Sequence, residues 1–273
     1  MKRAGKSAVL LTLTMGLLLG TSALASSDSA VTVKIGGESA AVSLLEGSAW
    51  LKKQGKEPEQ PLEIASRVFA GDVVRTGNGS RLELALPEGS FLRFDENTSF
   101  TMIASAYQEA EEIRSIRIRM LLGKVWARVS RLFKRRGGFA IETPTAVAGV
   151  RGTTYRLNLE RDRSAMVKVY DGEVEVRRRM IEDRPAQGPA PLKTPHPVAG
   201  PNPVAGPKAV TMEEWVYIVG AMQQIDIRAD GTATDPFRFD IQADLDDWVR
   251  WNQTLDRKHE DKVRELLNQP KTE

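Results

Sequence analysis

The sequence predicts a mainly β fold: an antiparallel β-sandwich or roll of many short strands, with a C-terminal strand pair and one α-helix. Residues 31–176 alternate apolar and polar side chains, which is typical of strands that bury one face. Clusters of glycine, asparagine and aspartate interrupt this alternation at short intervals, as turns do. No helical period intervenes before the C-terminal region, which excludes a repeating β-α-β architecture.

The individual strands are predicted from runs with a period of two. These runs lie at residues 31–35, 81–86, 116–120, 125–129, 167–169 and 174–176, and turns separate them at Gly71-Asp72, Gly77-Asn78-Gly79, Glu88-Gly89, Gly137-Gly138 and Asp171-Gly172. Residues 216–219 and 223–228 predict the C-terminal strand pair, and Asp230-Gly231 predicts the turn that follows it.

One helix is predicted near the C-terminus, from Asp244 to about Leu267. Apolar residues recur there at mostly helical spacing, and acidic residues occupy the first turn, where the helix dipole favours them. Trp248 and Trp251 stand three residues apart in this helix, with Trp215 upstream. We expect these tryptophans to dock the helix on the β-domain, and an aromatic platform for sugars is the alternative.

The N-terminal segment has the pattern of a targeting signal. Basic residues, an uncharged apolar stretch over 8–20 and small residues at Ala23 and Ala25 follow in the order of a Sec signal peptide. The apolar stretch is shorter than the about 20 residues of a membrane-spanning helix. We therefore expect cleavage after Ala25 and a periplasmic or secreted protein with no integral membrane span after cleavage. An uncleaved anchor is the alternative.

The net charge of +3 belongs to the predicted signal peptide. The chain has 39 basic and 36 acidic residues, and the first 25 residues contain three basic and no acidic ones. The remaining charge is divided, because residues 26–210 carry 28 basic and 22 acidic side chains, whereas residues 211–273 carry eight basic and 14 acidic ones. Net charges of +6 and −6 result. We therefore expect no nucleic-acid partner, and we expect the two regions to meet each other or an outside partner.

A proline-rich segment divides the part of the chain that follows the predicted signal peptide. Residues 184–208 hold eight of the 14 prolines and repeat Pro-Val-Ala-Gly-Pro, so an extended, solvated segment is expected. The predicted organisation is a signal peptide over residues 1–25, a β-domain over 31–180, a Pro/Gly-rich linker over 181–208 and a strand-plus-helix extension over 209–273.

Seven short sequences carry a family resemblance through their order along the chain. They are Leu45-Glu46-Gly47-Ser48, Ala70-Gly71-Asp72-Val73-Val74-Arg75-Thr76-Gly77, Leu86-Pro87-Glu88-Gly89-Ser90, Leu122-Gly123-Lys124-Val125-Trp126, Phe139-Ala140-Ile141-Glu142-Thr143-Pro144, Ala148-Gly149-Val150-Arg151-Gly152-Thr153 and Val169-Tyr170-Asp171-Gly172-Glu173-Val174-Glu175-Val176. In this order they resemble the FecR domain of bacterial envelope proteins. The run at 148–153 is the most specific of them.

The resemblance implies an extracytoplasmic all-β domain without catalysis of its own. The best-understood relatives sense an outer-membrane receptor and regulate a sigma factor through a cytoplasmic anti-sigma region. Only seven residues precede the apolar stretch here, so we expect the stand-alone type, without the anti-sigma region. We expect a non-enzymatic binding module of the cell envelope. The alternatives are a membrane-tethered signalling component and a glycan- or polyanion-binding envelope protein.

Two groups of residues are candidates for binding. Arg151 could contact a ligand, or it could satisfy backbone carbonyls at a tight bend between Gly149 and Gly152. Residues 114–136 contain nine basic side chains and no acidic one. A solvated strand face, the acidic C-terminal region, a partner protein, or lipopolysaccharide or another anionic glycan could meet them. The candidates in this stretch are Trp126 and the basic turn of Lys134, Arg135 and Arg136.

Residue types for catalysis and metal binding are scarce. The chain has no cysteine, and its two histidines lie in the linker (His196) and on the predicted helix (His259). No pair of carboxylates is placed in a cleft by the sequence, so an envelope glycan hydrolase lacks support. Aspartates between Asp226 and Asp244 lack the spacing of a calcium loop. We expect no catalytic residue, metal or cofactor, and we expect an envelope protein as the partner.

Overall fold

A computed structural model describes residues 39–55, 58–108, 113–131, 138–150, 152–179 and 215–268. The predicted strand at 31–35, the signal segment with Ala25, and the proline-rich segment lie outside these ranges. The described elements are β1 (Ala40–Glu46), β2 (Ala49–Lys52), β3 (Gln60–Pro61), β4 (Arg67–Val68), β5 (Val73–Thr76), β6 (Arg81–Ala85), β7 (Phe91–Phe94), β8 (Ser99–Gln108), β9 (Ile113–Arg128), β10 (Gly138–Glu142), β11 (Ala146–Val150), β12 (Thr154–Leu159), β13 (Ala165–Asp171), β14 (Glu173–Arg178), β15 (Val216–Gly220), β16 (Gln223–Ile227), β17 (Phe237–Arg238), α1 (Ile241–Asp244) and α2 (Asp247–Asn268).

The strands form two sheets that share the long strand β9. Sheet A has the order β4-β1-β6-β7-β9-β12-β13-β16-β17. Sheet B has the order β3-β2-β5-β8-β9-β10-β11-β14-β15. The first half of β9 pairs in sheet B and its second half pairs in sheet A. The predicted mainly β fold is therefore confirmed.

A single strand replaces the two that the sequence predicts at 116–120 and 125–129. Gly123 has φ +98° within β9, at the point where the pairing of the strand changes from sheet B to sheet A. Glycine adopts this conformation without the steric cost of a side chain. The bend thus lets one strand contribute to both layers.

The pairing of β9 with β10 is parallel, whereas the other pairings between described strands are antiparallel. After β9 has crossed into sheet A, the chain returns to sheet B and enters β10 beside the first half of β9, in the same direction. This return accounts for a parallel pair in a fold that the sequence predicts as antiparallel.

The core lies between the two sheets and follows the predicted period of two. One core-facing row of sheet A runs from Leu82 through Phe94, Val125 and Leu157 to Val167, and these side chains are buried. Sheet B contributes buried residues of β8 and β9. Phe94 of sheet A stacks on Phe100 of sheet B, with ring centroids 3.8 Å apart. Burial of this continuous apolar layer is the main stabilising contribution to the sandwich.

The two C-terminal strands extend the two sheets rather than pair with each other. β15 joins β14 in sheet B, and β16 joins β13 in sheet A. The Arg178 N–H donates to the Trp215 carbonyl over 3.2 Å, so the chain positions on either side of residues 180–214 are adjacent. Residues 180–214 therefore connect two neighbouring antiparallel strands, β14 and β15.

Helix α2 covers the face of sheet A that is turned away from the core. Trp248 and Val249 are buried against Trp126 of β9, with Tyr170 and Trp251 beside them. The helix docking that the sequence favours for Trp248 is thus present, and the buried indole is not an open sugar platform. No helix within the described ranges is both long and apolar enough to cross a lipid bilayer.

We predict that Gly123→Ala destabilises the sandwich. A Cβ at position 123 would lie 2.6 Å from Thr98 Cα, and the left-handed backbone adds strain for any side chain. The free energy of unfolding, measured with urea, should fall by more than about 2 kcal/mol. Gly138→Ala is the control, because a Cβ there meets no atom within 4 Å. Equal stability of the two variants would contradict the assigned role of Gly123.

Candidate functional site

One row of polar and aromatic side chains crosses the helix-covered face of sheet A. The strand register places Glu83 opposite Arg93, Arg93 opposite Trp126, Trp126 opposite Arg156, and Arg156 opposite Lys168. These five residues alternate with the core-facing residues of their strands, so period two directs them all toward α2. Sequence analysis allows this polar face of sheet A to be exposed to solvent. In the folded chain, α2 covers it.

Arg93 is the most deeply buried charge of this row, with no exposed surface. Its Nε donates to Glu83 Oε2 over 2.6 Å, and its Nη1 donates to Asp256 Oδ1 of α2 over 2.7 Å. The backbone carbonyl of Asn252 accepts a further bond from Nη1 over 3.2 Å. A buried guanidinium is tolerated only when such partners compensate for lost hydration. Arg93 thus ties two strands of sheet A to the middle of α2.

A second cluster forms around Asp244, at the end of α1. Its carboxylate accepts from Arg156 Nη2, from Lys168 Nζ and from the Tyr170 hydroxyl, each over 2.5 Å. Burial, together with the neighbouring carboxylates, raises the pKa of Tyr170 even though the charge of Arg156 opposes this. Tyr170 therefore remains a protonated donor. Asp246 adds a second carboxylate 3.4 Å from Arg156 Nη1.

Glu83 is the acidic member of the sheet row, and its partners hold it ionised. Ser43 Oγ donates to its Oε1 over 2.7 Å, and His259 Nε2 lies 3.3 Å from its Oε2. Burial alone would raise the pKa of Glu83. The hydrogen bond with His259 and the charge and hydrogen bond of Arg93 outweigh burial, and they lower that pKa to about 2. His259 also stacks on Phe91, with ring centroids 4.0 Å apart.

Apart from Glu83, which faces His259, the ion pairs across this interface join cations of the sheet to carboxylates of the C-terminal region. The sheet contributes Arg81, Arg93, Arg128, Arg156 and Lys168, and the C-terminal region contributes Asp244, Asp246, Asp247, Asp256 and Glu260. The regions with net charges of +6 and −6 therefore meet within one molecule. This accounts for part of the basic stretch without an outside ligand.

A cleft of about 390 Å³ opens at one end of this interface. Gly152, Thr153 and Thr154 line one part of it, and Arg128, Ser130, Arg131, Asp171, His259 and Glu260 line the rest. Arg131 is largely exposed, and its Nη2 lies 3.5 Å from an oxygen of the exposed Asp171 carboxylate. Cationic, hydroxyl and carboxylate groups thus share one solvent-facing cavity. Such a cavity can recognise a polar or charged surface of another molecule.

The predicted binding residues have different places relative to this cleft. Trp126 is 1% exposed, and its Nε1 donates to Asp256 Oδ2 over 3.0 Å, so it lies beneath α2. Arg151 and the turn of Lys134, Arg135 and Arg136 lie outside the described residues. Gly152, which follows Arg151, and Arg131, which lies three positions before Lys134, line the cleft.

The other members of the basic stretch have partners elsewhere. Arg117 and Arg119 reach Glu142 on the outer face of sheet B, over 3.4 and 3.1 Å, and Lys124 reaches Asp95 over 3.0 Å. The prediction of a solvated strand face therefore holds only for the sheet B part, where Arg117 is more than half exposed. Sequence analysis missed Glu83, Arg93 and Arg156, because period two alone does not show that a later helix covers their face.

The aspartates considered for calcium take part in local structure. Asp230 accepts from the N–H and hydroxyl of Thr232 in a turn, and Asp240 accepts from the Gln242 N–H at the start of α1. Asp226 Oδ1 accepts from Gln224. Among the described residues, no group of three or more side chains is arranged to hold a metal ion.

Comparison with known proteins supports the family resemblance. Residues 72–175 match the family described as FecR protein. No curated protein matches the chain. Two crystal structures, each described as a "putative anti-sigma factor" from Parabacteroides distasonis, are similar at 17% identity with a TM-score of 0.41, and the match covers 62% of this chain. The chain spans about 61% of the length of those structures.

We predict that Glu83 contributes acid-sensitive stability. Its pKa falls from 4.5 to about 2 on folding, so the ionised form stabilises the protein above pH 4.5. This contribution, about 3 kcal/mol, is lost as the pH falls from about 4.5 through about 2. Urea unfolding at a series of pH values should show a shallower acid slope for Glu83→Gln than for wild type. Glu63→Gln, at an exposed position, should keep the wild-type slope; an unchanged slope in Glu83→Gln would refute the prediction.

We predict that Asp244→Ala weakens the docking of the C-terminal region. The change leaves Arg156 and Lys168 buried without their shared carboxylate, which costs about 3–5 kcal/mol. Urea unfolding and the tryptophan emission of Trp126 and Trp248 should report the loss. The matched control is Asp261→Ala, which removes an exposed pair with Arg264 and should change stability little. If both variants unfold alike, the Asp244 cluster does not hold this region.

Proposed function

We propose that this chain, whose residues 72–175 form a FecR domain, is an exported, non-enzymatic binding module of the bacterial cell envelope. The signal-peptide pattern ending at Ala25 supports export. The absence of cysteine from the sequence and the use of Glu83, Asp244 and Asp256 in structural ion pairs support a role without catalysis. The partner is another envelope protein.

The cleft beside Gly152 carries this proposal. Residues 148–153 are the most specific part of the family resemblance, and Gly152 and Thr153 from that run line the cavity. Gly152 has φ +64°, and a Cβ there would collide with the side chain of Arg131. The turn and the exposed arginine therefore pack against each other at the mouth of the cleft. This arrangement presents the guanidinium of Arg131 beside the turn at Gly152, which suits recognition of an acidic protein surface.

A membrane-tethered signalling component is the second candidate function, because the family includes sigma-factor regulators. Mass spectrometry of the natural protein separates the two, since a chain beginning at Met1 would favour the tether and a chain beginning at Ser26 would favour export. Binding of an anionic glycan or lipopolysaccharide is the third candidate. Weaker retention of a Lys134, Arg135 and Arg136 triple alanine variant on a heparin column would favour it.

The cleft can be tested by site-specific cross-linking, because the wild-type chain contains no cysteine. A photoreactive probe on Glu260→Cys, at an exposed position of α2 that lines the cleft and leaves Arg131 in place, should yield a discrete cross-linked protein from the envelope fraction. The same probe on Arg250→Cys, at an exposed position of α2, should not yield it. An identical product pattern from both positions would count against the cleft as the partner site.

The partner assignment needs a second control, because a probe can label abundant neighbours. Excess unlabelled wild-type protein should suppress the Glu260→Cys product, whereas excess Arg131→Glu variant should not. Failure of the wild-type protein to compete would mean that the product does not report binding at the cleft.

A further inference from the structure

The strand β15 forms an edge of sheet B. It pairs with β14 on one side, and no other strand of the described residues pairs with its second side. The register places Arg177 opposite Val216, Glu175 opposite Ile218 and Glu173 opposite Gly220. Edge strands present unpaired backbone groups, and most proteins protect such edges against pairing with another chain.

Hydrogen bonding shows which backbone groups of β15 face outward. The Arg178 N–H donates to the Trp215 carbonyl, which makes these two residues a hydrogen-bonded pair. In an antiparallel ladder such pairs alternate, so Tyr217 and Val219 also bond to β14. The backbone groups of Val216, Ile218 and Gly220 therefore point away from β14. In agreement, the Gly220 N–H donates to the Gln223 side chain over 2.8 Å rather than to β14.

Apart from the Gln223 side chain on the Gly220 N–H, the usual protective features are missing from this edge. Residues 215–220 contain no charged residue and no proline, and the ladder with β14 has no bulge. Val216 and Ile218 are 54% and 56% exposed, and they share the outer face of the strand. An apolar edge of this kind is a template for an added strand.

We propose that β15 pairs with β15 of a second copy of this chain, antiparallel and about a two-fold axis at Ile218. Ile218 then meets Ile218 of the second copy as a hydrogen-bonded pair, in which each residue both donates and accepts. Val216 meets Gly220 of the second copy, so a branched side chain covers a position that has none. A self-complementary patch of this kind is what a two-fold interface requires.

The flanking charges favour the second copy over an unrelated strand. Arg177 stands beside Val216, and Glu173 stands beside Gly220, at opposite ends of the paired segment. The two-fold axis brings the Arg177 end of one copy to the Glu173 end of the other twice, whereas it sets Glu175 beside Ile218 against its equivalent only once, so attractive pairs outnumber the like-charged pair. Strands about 4.8 Å apart place these rows about 14 Å apart at the backbone. The extended side chains of Arg177 and Glu173 span part of that distance. Their charges therefore come close enough to attract each other.

The proposed interface is short, so we expect the two copies to associate weakly. Five residues pair on each side, which is less surface than a permanent dimer buries. We therefore expect a concentration-dependent equilibrium between monomer and dimer. This inference is independent of the cleft at Gly152, so either proposal can fail without the other.

Cysteine cross-linking tests the geometry in the full chain. In a hydrogen-bonded antiparallel pair the Cα atoms lie about 5.5 Å apart, within the range that a disulfide bridges. Ile218→Cys should therefore give a disulfide-linked dimer on mild oxidation. Phe237→Cys, an exposed apolar position on the edge strand β17 of sheet A, should stay monomeric. Equal dimer yields from the two variants would overturn the proposal.

Light scattering across a concentration series tests the equilibrium itself. Wild type should gain mass with concentration, and Ile218→Lys should remain a monomer because two ammonium groups would meet on the axis. Ile64→Lys, which changes another half-exposed apolar side chain, should associate as wild type does. Far-ultraviolet circular dichroism should show that both variants are folded. A wild type that is monomeric at every concentration, or an Ile218→Lys variant that still dimerises, would overturn the proposal.

Discussion

The buried arginines of sheet A are the constraint on which the rest of the structure depends. Arg93 and Arg156 stand on the face that points away from the core, where solvent would normally hydrate them. Helix α2 covers that face, so each guanidinium must find carboxylates within the protein. Asp256 and Asp244 supply them. An apolar helix in place of α2 would be unfavourable, because the buried Arg93 would lose Asp256 and keep only Glu83 as an ion-pair partner.

This polar layer differs in kind from the core beneath it. Between the sheets, burial of apolar surface supplies stability without specifying a partner. Between sheet A and α2, the apolar contact is limited to a few residues around Trp126 and Trp248, and ion pairs surround it. Ion pairs depend on position and on protonation. Glu83, whose pKa its hydrogen bond with His259 and its ion pair with Arg93 lower, is the group through which we expect this layer to respond to acid.

The two sheets leave different surfaces for other molecules. Helix α2 covers sheet A, and the cleft beside Gly152 is one of the cavities that open along that interface. Sheet B has an apolar edge at β15. Residues 180–214 lie in sequence between β14 and this edge strand, and the Arg178 N–H bonds to the Trp215 carbonyl. Both proposed binding surfaces thus lie where the described part of the chain does not cover the sandwich.

Local chemistry alone determines much of this protein. Period-two alternation predicts β6, β9 and the strands from β13 to β16, glycine and aspartate mark turns, and the spacing of apolar residues after Asp244 predicts the helix. These signals act over a few residues, so no knowledge of distant partners is needed. The opposite charges of the two regions also predict that they can meet.

The tertiary structure decided which faces are buried, and it did so through contacts over long sequence separations. Period two assigns Glu83 and Arg93 to the face opposite the core, but it cannot show that residues 247–260 cover that face. Nor can it show that a single strand, bent at Gly123, belongs to both sheets. Strand order depends on pairings between residues tens of positions apart, such as Ala165 with Ile227. Helix placement depends on contacts over more than one hundred positions, such as Arg93 with Asp256. Local propensity contains no information about such pairings.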